Sequence, residues 1–221
     1  MMWDQTWEEV FKSQEWGKYP SEDLIRFVAR NFYKFEDREK IKVLEVGCGT
    51  GSNLWYVSRE GFSIYGIDGS KTAIEKAKKR LDSELSKWSG ELVIGDITSL
   101  PYEDEEFDAV IDNEAICANS YESSIKIYNE ICRVLKTGGK MYSRTFATGS
   151  WGDGTGEKVG YNTWLPNVGP SKDKGITRFS SKNDVEEFMK NFNIEEMEKV
   201  SRSYNNLHDN VIEWIVTASK K

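Results

Sequence analysis

Three glycines at alternate positions, Gly47, Gly49 and Gly51, stand in Val43-Leu44-Glu45-Val46-Gly47-Cys48-Gly49-Thr50-Gly51-Ser52-Asn53, where an apolar run gives way to a helical pattern. Lacking a Cβ, they let a ligand approach the backbone at a helix N-terminus. About twenty residues further on, Asp68 ends Ser63-Ile64-Tyr65-Gly66-Ile67-Asp68-Gly69-Ser70. A carboxylate there accepts both hydroxyls of a ribose, or simply caps the next helix. The pair suits a nucleoside cofactor without naming it. A dinucleotide loop also carries glycines, but that fingerprint asks for Gly or Ala where this chain has Ser52.

Three further motifs follow in order: Gly95-Asp96-Ile97 with Leu100-Pro101-Tyr102, then Phe107-Asp108-Ala109-Val110-Ile111-Asp112, then Leu135-Lys136-Thr137-Gly138-Gly139. With these, residues 41 to 146 resemble the class I S-adenosylmethionine-dependent methyltransferases, and the final helix and hairpin resemble them more weakly. The resemblance implies an α/β, Rossmann-like, seven-stranded and mostly parallel sheet with helices on both faces and a C-terminal antiparallel hairpin. It also implies S-adenosylmethionine as cofactor and S-adenosylhomocysteine as product.

Carried over by position, the resemblance has Gly47, Gly49 and Gly51 lining the cofactor, with Glu45 bracing the loop and touching the methionine ammonium. Cys48, Asn53 and Gly69 complete that wall. Asp68 would hold the ribose, Asp96 would accept from the adenine amino group, and the Ile97 backbone would meet the ring. Asn113 would lie under the methionyl part. The bland alternative for all of these is ordinary turn chemistry. In this family the first thirty or so residues often close over the cofactor; here they hold Trp3, Trp7, Trp16 and Tyr19 around Gly17-Lys18. Trp16, Lys18 and Tyr19 are the candidates to reach cofactor or substrate, with simple packing as the alternative.

The reaction so implied is in-line displacement at a sulfonium methyl, in which the protein mainly aligns the acceptor. A base is optional for an amine and more useful for a hydroxyl. His208, the only histidine, and Glu114, directly after Asn113, are the two candidates; a solitary loop histidine is otherwise solvated. Residues 147 to 178 leave the carboxyl edge of the sheet and are rich in glycine and aromatics, with Trp151, Tyr161 and Trp164 suited to a lid over a small-molecule pocket. Their glycine run lacks the Gly-Lys-Ser/Thr ending of a phosphate-cradling loop.

Alternating signals must position these residues. An amphipathic helix at 21 to 33 precedes a strand at 42 to 46, a helix at 52 to 59, a strand at 62 to 67 and a helix at 71 to 87. Strands at 91 to 94 and 107 to 112, a helix at 121 to 135 closed by Gly138-Gly139, and a strand at 140 to 146 continue the pattern, which implies a parallel sheet. After the irregular 147 to 178 stretch come a helix from Ser180 or Ser181 to about Phe192 and strands near 194 to 204 and 211 to 218. The expected organisation is one domain: an N-terminal helical cap (1–35), a cofactor-binding core (36–146), a lid (147–178) and a C-terminal helix and hairpin (179–221).

The 221 residues carry a net charge of -7, which disfavours a nucleic-acid partner. Cys48, Cys117 and Cys132 are widely spaced, so neither a metal site nor a disulfide framework is expected. A cytoplasmic protein with no membrane insertion is the expectation from the N-terminal composition and the lack of a long apolar run. The acceptor is expected to be a small polar molecule, with a sugar or related metabolite suggested by analogy alone. A nicotinamide-dependent oxidoreductase and a non-catalytic S-adenosylmethionine-binding module stay open as alternatives, as does the oligomeric state.

Overall fold

The computed structural model describes residues 4–221. Along the chain, α1 (Thr6–Ser13) and α2 (Glu22–Phe32) precede β1 (Lys42–Val46), and α3 (Ser52–Arg59), β2 (Ser63–Asp68), α4 (Lys71–Glu84), β3 (Gly90–Ile94), β4 (Phe107–Asn113), α5 (Tyr121–Val134) and β5 (Leu135–Phe146) follow. Then come β6 (Glu157–Gly160), β7 (Thr163–Leu165), β8 (Thr177–Arg178), α6 (Lys182–Phe188), β9 (Phe192–Tyr204) and β10 (Asp209–Lys220).

One sheet has the order β3-β2-β1-β4-β5-β10-β9. Its first five strands run parallel, and β10 pairs antiparallel with both β5 and β9. Residues that alternate along a strand enter opposite cores. Leu44, Val46, Val110 and Met141 pack on one face of the sheet, and Val43, Ala109, Ile111 and Tyr142 on the other. Both faces are thus covered, which is why these strands read as continuous apolar runs instead of alternating ones.

Helix starts follow their caps. Ser21, Ser70, Ser120 and Ser181 each accept a hydrogen bond from a first-turn amide, and Asp184 completes a capping box at α6. The chain runs from β1 outward through β2 and β3, then returns to place β4 on the other side of β1. The order therefore reverses between β1 and β4, and the crevice beyond their carboxyl ends is where such sheets bind ligands.

Several segments differ from the pattern read in the sequence: α4 ends at Glu84 instead of 87, and α6 at Phe188 instead of about Phe192, where β9 already begins. The helix expected to run to 135 ends at Val134, and Gly138 and Gly139 lie inside β5, in the irregularity between the pairs Phe107↔Leu135 and Ala109↔Lys140. Residues 147 to 178 are not simply irregular. They carry the three-stranded antiparallel sheet β6-β7-β8, whose strands of 4, 3 and 2 residues are too short to show a period. Gly156 permits that sheet: a Cβ there would meet the Leu165 carbonyl oxygen at 1.9 Å. Among the described residues, no helix is long and apolar enough to cross a membrane.

Candidate active site

The glycine turn is built at the end of β1. Gly47 has φ +63°, and a Cβ on it would lie 2.3 Å from that of Ala115, so only glycine fits. The Gly49 amide donates to Asp68 Oδ2 at 2.8 Å while the Phe11 ring covers its other side. Gly51 begins α3 in left-handed backbone, close against Ala77. Cys48 is buried facing Gly66, and burial pushes its thiol up.

Below the turn, Asn53 Nδ2 donates to Glu45 Oε1 at 2.6 Å. Glu45 Oε2 is buried without a hydrogen-bond partner among the described residues. Burial raises this carboxyl to about 8, with Asp68 and Asp112 adding to the effect and Asn53 opposing it. Asp68 is also buried; its Oδ1 accepts from the Ser70 amide at 2.8 Å. Burial raises it, opposed by the Ser70 and Gly49 amides. Asp96 Oδ1 accepts from the Thr98 amide at 2.9 Å and its hydroxyl at 2.7 Å, which holds the turn after β3.

These ends surround a cavity of about 260 Å³. Gly47, Asp68, Gly69, Asp96, Ile97, Asn113 and Glu114 are on its wall, whereas Glu45, Cys48, Gly49, Gly51 and Asn53 stand behind it. Asn113 Oδ1 is a second buried oxygen without a partner among the described residues.

Two covers complete the cavity, one within the expected N-terminal cap and one within the expected lid, though mostly through other residues than those singled out in the sequence. The first is α1 with the residues flanking it, which contributes Asp4, Trp7, Phe11 and Trp16. Glu8 straps it down by accepting from Ser70 Oγ at 2.5 Å and Thr72 Oγ1 at 2.6 Å at the start of α4. Those hydroxyls hold the Glu8 carboxyl at about 2. The second cover is residues 170–177, which bring Pro170, Ser171, Lys174 and Thr177 to the wall. The covers meet where Ile176 N donates to Asp4 Oδ2 at 3.3 Å and Lys174 Nζ lies 5.2 Å from the Trp16 ring centroid.

Of the aromatic cap candidates, Trp16 reaches the wall, and Lys18 and Tyr19 do not. Both are exposed, Tyr19 edge-on to Trp55. Trp3 lies outside the described residues. The lid aromatics are also displaced from the cavity. Trp151 and Trp164 pack on the cluster of Cys117, Phe146, Phe179 and Val211, and Tyr161 is 57% exposed against Tyr121. Both tryptophans are partly buried against that cluster, and Pro170, Ser171, Lys174 and Thr177 are the lid residues on the wall. His208 does sit at the carboxyl edge, in the turn from β9 to β10, but it is exposed and off the wall. Of the two base candidates, only Glu114 faces the cavity.

A family model described as a methyltransferase domain matches residues 37–214. A sterol 24-C-methyltransferase of Kluyveromyces lactis is 36% identical over 126 residues, covering 54% of this chain and 30% of that protein. A demethylmenaquinone methyltransferase of Thermotoga maritima is 30% identical over 132 residues, covering 58% and 54%. The matches therefore span about a third to a half of those relatives. Among solved structures, a SAM-dependent methyltransferase of Methanosarcina mazei superposes with a TM-score of 0.69 at 18% identity, over 87% of this chain and 96% of the other. At that identity the likeness speaks for the fold.

Proposed function

The chain belongs to the methyltransferase-domain family, whose cofactor is S-adenosylmethionine, and from that premise we propose that it transfers the cofactor's methyl group to a small-molecule acceptor in the cavity between β1, β4 and the two covers. The observation that carries this reading is the convergence of Gly47, Asp68, Asp96 and Asn113 from separate strand ends onto one wall at the point where the strand order reverses.

The residues present suit that cofactor. Asn113 Oδ1, on the wall, is a buried acceptor lacking a donor among the described residues, the kind of group that an ammonium relieves. Each oxygen of Asp68 accepts one backbone amide and keeps a second lone pair for ribose hydroxyls. Asp96 and Ile97 would flank the adenine. When bound, the cofactor supplies a methyl group on a sulfonium that is already a leaving group. The protein's share is to orient the acceptor, and Trp7, Trp16 and Phe146 keep water away from it.

Those aromatics favour an acceptor with an apolar face over a free sugar. The sterol and demethylmenaquinone substrates named for the relatives are apolar ring systems, which supports the same choice. The test is transfer of labelled methyl from S-adenosylmethionine into a panel of alcohols, phenols, quinols and sugars. Label in an apolar ring acceptor is the expected result. Intact binding of S-adenosylhomocysteine with no transfer to any acceptor would instead favour a non-catalytic module.

A further inference from the structure

Glu114 follows the end of β4 on the cavity wall, in left-handed backbone at φ +63°, a conformation rarely adopted without a local reason by any residue other than glycine. Its amide donates to the Arg144 carbonyl at 2.8 Å, which fixes the bend. Its Oε1 lies 3.2 Å from Arg144 Nε. The same guanidinium makes a two-toothed pair with Glu213 on β10, Nε to Oε1 at 2.8 Å and Nη2 to Oε2 at 2.5 Å. Neighbouring strands thus hold two carboxylates against one guanidinium.

The charges do not cancel. One arginine neutralises one carboxylate, and Glu213, almost wholly buried and doubly bonded, has the stronger hold. The surplus negative charge falls on Glu114, whose side chain is 34% exposed toward the cavity. The other titratable groups facing it give little relief. Asp112 adds negative charge from β4, and Cys117 and Tyr142 are neutral. Lys174, the cation in the opposite cover, is turned to the Pro170 carbonyl at 2.8 Å. Burial and the Glu213 carboxylate accordingly push Glu114 up, into a range where it exchanges a proton near neutrality.

Building on the methyl-transfer reading, we propose that Glu114 takes the acceptor's proton, that Arg144 and Glu213 are the positioning residues that prepare it, and that the acceptor is therefore a hydroxyl, an alcohol or phenol with an apolar body. In the step, the hydroxyl oxygen's electron pair forms the bond to the methyl carbon and the carbon–sulfur bond breaks with its pair going to sulfur. The hydroxyl proton passes to the Glu114 carboxylate. Ether, neutral thioether and protonated carboxyl result, and the carboxyl then returns its proton to water.

The test is a carbon-13 NMR titration of glutamate-labelled protein saturated with S-adenosylhomocysteine, joined to methyl-transfer assays. The resonance missing in Glu114→Gln should titrate well above the ordinary carboxylate range. Glu213→Gln frees Arg144 for Glu114 and should lower that titration by about 1 to 3 pH units, while Arg144→Gln should raise it. A merely structural role would not give opposite shifts. Glu45, the other raised glutamate, should stay in place throughout. Transfer to alcohols and phenols should fall about 10²- to 10⁴-fold in Glu114→Gln. The proposal is overturned if Glu114 titrates in the ordinary range, if Glu213→Gln leaves it unmoved, or if transfer goes only to amines or survives Glu114→Gln undiminished. Failure of the unmodified protein to bind S-adenosylhomocysteine would strike the methyl-transfer reading itself.

Discussion

At the level of single residues, the turn after β1 depends on what a side chain would meet there. Gly47 and Gly138 both have positive φ, +63° and +74°, but a Cβ on Gly47 would overlap Ala115 whereas one on Gly138 would meet nothing within 4 Å. Backbone strain alone costs about 1–3 kcal/mol, and forced overpacking about 1–3 kcal/mol more. Urea denaturation should therefore show Gly47→Ala less stable than Gly138→Ala by about 1–3 kcal/mol, with cofactor affinity lost only in the former. Equal losses in the two variants would mean that Ala115 yields freely. Much of this site was legible in the sequence because Gly47, Asp68, Asp96 and Asn113 each stand at or just past the carboxyl end of a strand, where residue type and order suffice. Glu213 and Lys174 were not legible. Nothing local marks Glu213 as a partner of Arg144, 69 residues away, and the sheet alone brings them together.

At the level of elements, the parallel strands could be read from apolar runs, since burial on both faces leaves that signature. The covers were expected as a cap over 1–35 and a lid over 147–178, but how they are built and held was not legible. α1 has eight residues and is held less by its own pattern than by Glu8 on Ser70 and Thr72 of α4 and by Lys76 Nζ on the Phe11 carbonyl. That latch carries a pH signature. Glu8 sits at about 2 in the folded chain against an ordinary 4.5, so its contribution is fully present above 4.5 and is lost as pH falls from there toward 2. In Glu8→Gln, hydrogen exchange of α1 should be faster than in the parent near neutral pH. The difference should narrow as pH falls from about 4.5 toward 2. A difference that stays constant with pH would show that the helix is held by its aromatic contacts instead.

At the level of the whole molecule, the arrangement is a rigid sheet edge facing two light covers. The cavity of about 260 Å³ lies at the small end of ligand sites, which run to about 1,000 Å³. The covers join at the Asp4–Ile176 hydrogen bond and the Lys174–Trp16 contact, so a ligand that needs more room would enter by parting that seam. Such motion leaves in place the proposed site for S-adenosylmethionine at the carboxyl edge of β1, β2, β3 and β4. Calorimetric titration of the protein with S-adenosylhomocysteine, alongside NAD and with Asp68→Ala as control, tests it most directly. One-to-one binding of S-adenosylhomocysteine is expected, weakened by about 1.5–3 kcal/mol in the variant through loss of charged hydrogen bonds, with no heat from NAD. Binding of NAD in its place, or affinity for S-adenosylhomocysteine indifferent to Asp68, would contradict it.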